Sequence, residues 1–141
     1  MLEQFFRFFG PFGDRDAGHL GEQIAAEWLR RVRGFTIVTR NWRNPRDLRD
    51  ELDLVCRDRD VLVFVEVKAR SAIALVPGYF AVDRRKKRVM RRTIDAYLRQ
   101  LSRPPRTFRF DVIEVTINAL PEKSEVRHFE NIPLFPKQYR R

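Results

Sequence analysis

The chain has 141 residues, with 29 Lys and Arg against 19 Asp and Glu, a net charge of +10 and a pI near 10.7. That length suits one domain with a real core, and 43% hydrophobic residues exclude general disorder. A small domain this basic points to a polyanionic partner, nucleic acid before an anionic membrane surface, and no apolar run is long enough to span a bilayer.

Residues 1–17 place Phe5, Phe8, Phe9 and Phe12 at helical spacing, with Phe6 beside them. The stretch is too short and interrupted for a signal peptide. It reads as an aromatic arm that packs on its own domain or in a homodimer contact. Arg7 is the one basic residue among its phenylalanines, which disfavours membrane contact. Residues 18–120 carry the domain. Leu20 to Arg33 reads as an amphipathic helix through Leu20, Ile24, Ala25, Trp28, Leu29 and Val32, with Glu22 on its flank and Gly34 as its stop. A strand over Phe35–Arg40 follows, then a polar loop, NWRNPRDLRD, around Pro45. Leu52–Arg57 is a second strand, RDRD a turn, and Val61–Lys68 a third strand. After a loop, SAIALVPGYFAV, Asp83 caps a helix reaching about Leu101, buried through Met90, Ile94, Tyr97, Leu98 and Leu101. Pro104 and Pro105 stop it, and Phe108–Val115 is a fourth strand. The tail, 121–141, offers a short strand near Val126–Phe129 and packs on or extends the domain. The order α-β-β-β-α-β implies an α/β fold with a mixed central sheet flanked by helices. A single cysteine, Cys56, permits no internal disulfide or thiolate cluster, and His19 and His128 show no zinc spacing. This usage fits a reducing, cytoplasmic setting.

Two of these strands carry charge where a core strand should be apolar. Side chains alternate along a strand. Glu51, Asp53 and Val55 therefore point one way, and Leu62, Phe64, Glu66 and Lys68 share a face of the next strand. If the hairpin sets Asp53 opposite Glu66 and Glu51 opposite Lys68, four polar groups project from one face. Desolvating them costs several kcal/mol each unless they are paired or hold an ion. Clustered hard oxygens favour Mg2+ or Mn2+, with Glu51, Asp53 and Glu66 as ligands. Lys68 beside them can meet a phosphate oxygen, a layout for phosphodiester hydrolysis. The plainer reading of the Glu66–Lys68 pair alone is a salt bridge.

Asp53 followed one hairpin later by Glu66-Val67-Lys68 resembles the PD-(D/E)XK nuclease signature, and the element order resembles the core of that restriction-endonuclease-like superfamily. GEQIAAEWL (21–29), RNWR (40–43), ELDLV (51–55), LVFVEVKAR (62–70) and RFDVIEV (109–115) together resemble the YraN family of uncharacterised proteins, regarded as related to archaeal Holliday-junction resolvases. The resemblance runs from about Gly18 to Val115. It implies that Asp53 and Glu66 are metal ligands, that Lys68 is the catalytic lysine, and that Glu22 completes the acidic cluster. Where that family usually has Gly before the Glu-x-Asp motif, this chain has Asp50, an extra carboxylate expected beside the site.

The second helix opens on Arg84, Arg85, Lys86, Lys87 and Arg88, followed by Arg91 and Arg92. Positive charge there opposes the helix dipole, so it does not serve helix stability and suits phosphates instead. Arg43, Arg46, Arg49 and Arg70 extend the patch; a solvated surface face is the bland alternative. No helix-turn-helix or RNP motif is present, which implies backbone and shape recognition. The expected function is a metal-dependent nuclease acting on DNA in preference to RNA, with structured or branched DNA suggested by analogy. The alternatives are a nucleic-acid-binding module with this fold and no cleavage, and a basic interaction protein using its aromatic arm.

Overall fold

The structure is a computed structural model that describes residues 14–71 and 84–134. The aromatic arm, the loop before the second helix and the Asp83 cap lie outside the described residues. Helix α1 (Asp14–Val32) begins well before the expected Leu20, through DRDAGH, a stretch with no apolar periodicity to announce it. Its apolar face buries Leu20, Ala25, Ala26 and Leu29. It ends at Gly34, whose φ of 69° lies in the left-handed region, and the Phe35 N–H turns back to Leu29 O at 3.0 Å.

Strands β1 (Thr36–Asn44), β2 (Asp47–Asp58) and β3 (Val61–Ser71) form an antiparallel meander joined by two-residue turns. The segment 41–50, expected to be a loop, is therefore mostly strand. The end of the β1–β2 hairpin has exposed residues on both faces, so it carries no apolar alternation, and backbone pairing such as Arg43 with Glu51 makes it a strand. Helix α2 (Arg84–Gln100) belongs to the crossover to β4 (Thr107–Ile117), which lies parallel to β3. After a short 3-10 turn, β5 (Glu125–Phe129) pairs antiparallel with β4. The five-stranded mixed sheet has the order β1-β2-β3-β4-β5, and the α-β-β-β-α-β succession matches a restriction-endonuclease-like core.

Two apolar layers hold the sheet between its helices. On the α1 side, Leu20, Ala26 and Leu29 meet Leu54, Cys56, Val63, Val65, Ile113 and Val115. On the α2 side, Ile94 and Tyr97 meet Leu52, Val55, Leu62, Phe64, Phe110 and Val112. Gly21 is where α1 comes closest to the sheet: a Cβ there would stand 2.2 Å from Ala69 Cβ. Its absence lets the helix seat against β3 and brings Glu22, the next residue, to the sheet. At the opposite end, Asp111 is fully buried and accepts bonds from Arg109 Nε (3.0 Å), His128 Nε2 (2.8 Å) and the Asn131 N–H (2.9 Å). Burial pushes its carboxyl up, but these donors outweigh it and hold the group below the ordinary carboxylate range. The knot ties β5 and the segment after it to β4. No helix among the described residues is long and apolar enough to cross a membrane.

Candidate active site

The β2–β3 ladder runs from Asp58–Val61 to Leu54–Val65, with Arg57 opposite Leu62 as the turn spacing requires. One step further in this register sets Asp53 against Glu66. There the Val67 N–H donates to Asp53 Oδ2 at 2.8 Å, and the Asp53 charge acts on the Glu66 carboxyl. The strict alternation expected for β2 fails at this point. Leu54 belongs to the α1-side core, while Leu52 and Val55 both belong to the α2-side core, so Val55 does not share a face with Glu51. Across the ladder, Asn41 adopts a φ of 52° and the β1–β2 pairing steps from Arg40–Leu54 to Trp42–Leu52. Alternation on β3 stays regular, with Val63, Val65 and Val67 toward α1 and Leu62 and Phe64 toward α2, which sends Glu66 and Lys68 to the α2 side.

The expected single-faced cluster is thus replaced by a two-sided one. Glu22, Glu51 and Asp53 each offer an oxygen within 4.8 Å of the others. Asp53 also reaches Glu66, and Lys68 Nζ lies 3.8 Å from Glu66 Oε1. The expected opposition of Glu51 and Lys68 lies beyond the described β2–β3 pairing, because that pairing stops at Leu54–Val65. Glu51 instead faces Arg43 at 3.6 Å. Asn41, not singled out in the sequence, donates its side-chain amide to Glu22 Oε2 (2.9 Å) and Glu51 Oε1 (3.2 Å) in the orientation that satisfies both partners. Its clue was the NWRN stretch, where Asn tolerates a left-handed backbone. Burial and the neighbouring Asp53 push the Glu22 carboxyl up to about 6, and Glu51 adds to the push while His19 opposes it. Burial, then Asp53, push Glu66 up to about 8, against the opposing charges of Lys68 and Lys86. Asp53 is raised as well, chiefly by burial, although the Val67 N–H works the other way.

The family model described as "Uncharacterised protein family UPF0102" matches residues 21–115. The chain belongs to the UPF0102 family. A UPF0102 protein of Beutenbergia cavernae is 43% identical over 98 residues, covering 70% of this chain and 80% of that one. One of Clostridium acetobutylicum is 35% identical over 118 residues, 84% of this chain and 93% of that one. One of Porphyromonas gingivalis is 37% identical over 127 residues, 89% and 90% of the two chains. The UPF0102 match thus takes in Glu22, Asn41, the carboxylates of β2 and β3, Lys68 and the whole of α2.

In this UPF0102 chain the basic residues divide into distinct groups. Lys86 shares its helical phase with Met90, Thr93 and Tyr97, which face the sheet, and its charge acts on Glu66. Arg84, Arg85 and Arg88 are exposed, and Lys87 and Arg91 are half-buried. Arg70 pairs with Glu114 at 3.7 Å, and Arg43 with Glu51. Arg92 binds Asp50 in a two-pronged contact, Nε at 2.9 Å and Nη2 at 2.7 Å. Asp50 was expected beside the metal site. It is instead 1% exposed and turned toward α2, because it lies one residue from Glu51 on a strand. It fixes α2 against β2 and leaves the UPF0102 carboxylate cluster uncrowded.

Proposed function

We propose that this UPF0102 protein is a divalent-metal-dependent nuclease that hydrolyses phosphodiester bonds in DNA. The observation that carries the reading is Asp53, whose carboxylate stands where β2 and β3 part, between Glu22 and Glu51 on one side and Glu66 and Lys68 on the other. Hard carboxylate oxygens at this spacing fit Mg2+ or Mn2+, and the burial and mutual repulsion that raise three of these groups are relieved by a dication. Glu22, Glu51 and Asp53 would hold the ion, with Glu66 adjoining. When bound there, such an ion supplies an acidified water and screening of the phosphate. Asn41 orients the Glu22 and Glu51 oxygens. Lys68 offers positive charge to the negative charge that develops on the phosphate. Lys86 faces the same region, and the exposed Arg84, Arg85 and Arg88 neutralise phosphates without reading bases.

The test is the purified protein with Mn2+ or Mg2+ against single-stranded, duplex, flap and four-way-junction DNA. At least one substrate should be cut, and Asp53→Ala, Glu66→Ala and Lys68→Ala should each abolish cutting. Binding without cleavage of all four would instead support a nucleic-acid-binding module. The ion pair between Arg43 and Glu51 is the observation on that side, since it sets a protein cation against one of the would-be ligands.

A further inference from the structure

A concavity lies between the end of the β1–β2 hairpin and the C-terminal half of α2. It encloses about 530 Å3, and its walls include Trp42, Arg46, Arg92, Asp95 and Arg99. Arg92 and Arg99 stand seven residues apart, two turns along one stripe of the helix. Arg92 is held by Asp50 yet leaves its side chain 59% exposed, so its guanidinium is fixed in place at the groove wall. Neither Arg46 nor Arg99 makes a side-chain ion pair among the described residues. Tyr97 meets Trp42 edge-on at 5.3 Å and braces the wall from behind.

Salt bridging accounts for Arg92 but not for its neighbours. Three guanidinium groups line one concave surface against the single surface carboxylate of Asp95. Planar guanidinium forks match phosphate oxygens in pairs. The space is far larger than one phosphate needs, and the stripe continues toward the start of α2 through Arg88 and Arg85. From Arg85 to Arg99 the helix spans about 21 Å, a track for a chain of phosphates. We propose that this groove is a phosphate-backbone subsite for one strand of nucleic acid, bound by Arg46, Arg92 and Arg99. It rests on the nucleic-acid part of the function above and not on cleavage.

The full chain in EDTA is titrated against fluorescein-labelled oligothymidylate of fifteen nucleotides, by anisotropy at several salt concentrations. Wild type should bind, and Arg46→Ala/Arg99→Ala should bind about tenfold more weakly, with a log–log salt slope shallower by about 1.4, since each phosphate neutralised on a single strand contributes about 0.7. Arg46→Lys/Arg99→Lys should keep most of the slope. No binding by wild type, an unchanged affinity and slope in the double alanine variant, or displacement of the oligonucleotide by an equal concentration of thymidine monophosphate would each overturn the subsite. Calorimetric titration of the same proteins with Mn2+ reads the carboxylate cluster separately. The double alanine variant should bind Mn2+ as wild type does, and a wild type that binds oligonucleotide but not Mn2+ would sink the metal reading while leaving the groove standing.

Discussion

Glu66 and Glu22 hold protons that ordinary glutamates release. Their pKa values of about 8 and about 6 exceed the ordinary 4.5. Between pH 4.5 and 8 the folded state therefore binds more protons than the unfolded one, and stability falls as pH rises through that window. Asp111 acts in the opposite sense: its lowered pKa gives stability above the ordinary 3.8 that is lost as the solution becomes more acid. The metal-free protein should accordingly melt at its highest temperature near pH 5 and progressively lower toward pH 8, by calorimetry. Glu66→Gln should flatten the alkaline slope, and Mn2+ should reverse it, because it binds the deprotonated carboxylates. A profile that is flat from pH 5 to 8 in wild type would mean that the cluster titrates like exposed carboxylates. Asn41 can be isolated by Asn41→Gly, which accepts the left-handed backbone and removes only the amide. Mn2+ affinity should drop about tenfold with little change in melting temperature; an unaltered affinity would remove Asn41 from the ligand shell's support.

The register of β2 and β3 was legible because the RDRD turn and the valine alternation of β3 admit one pairing. That pairing places Asp53 against Glu66 whatever happens further along the strand. The break in alternation at Asp53 was not legible, since it lies across the ladder from Asn41, in a segment too polar to read as a strand. Asp50 was misplaced for a related reason: a carboxylate next to a cluster of carboxylates looks like one of them until its partner, Arg92, arrives from a distant helix. Glu22 was reached only by resemblance, because its position depends on how α1 docks. That docking hinges on Gly21 and Ala69. Gly21→Ala should push α1 outward, destabilise the fold by about 2 kcal/mol and weaken Mn2+ binding. Ala69→Gly in the same chain should restore much of both, and a denaturant titration of the single and double variants checks it. Independent effects of the two substitutions would show that the helix is seated by other contacts.

At the scale of the whole molecule, the sheet divides the chemistry from the anchoring. Carboxylates and cationic groups gather where β2 and β3 separate, whereas the buried Asp111 knot locks β4, β5 and the chain beyond them. The α/β architecture was readable from element order alone; its division into a polar opening and a polar clasp was not, because His128 and Asp111 lie seventeen residues apart on different strands. The parallel pairing of β3 with β4 also orders events in time. β1, β2 and β3 close through turns of two residues, but β4 can join β3 only after the crossover containing α2 has been spanned. Local closure precedes long-range closure in folding. The Thr36–Ser71 meander should thus be the nucleus, so Asp53 and Glu66 meet before Glu22 arrives. In stopped-flow refolding, Val63→Ala should mainly slow folding, while Val126→Ala in β5 should mainly speed unfolding. The carboxylates of the candidate site would then be brought together, with their repulsion, early in the life of each newly made chain, and an ion captured at that stage would accelerate the remaining assembly.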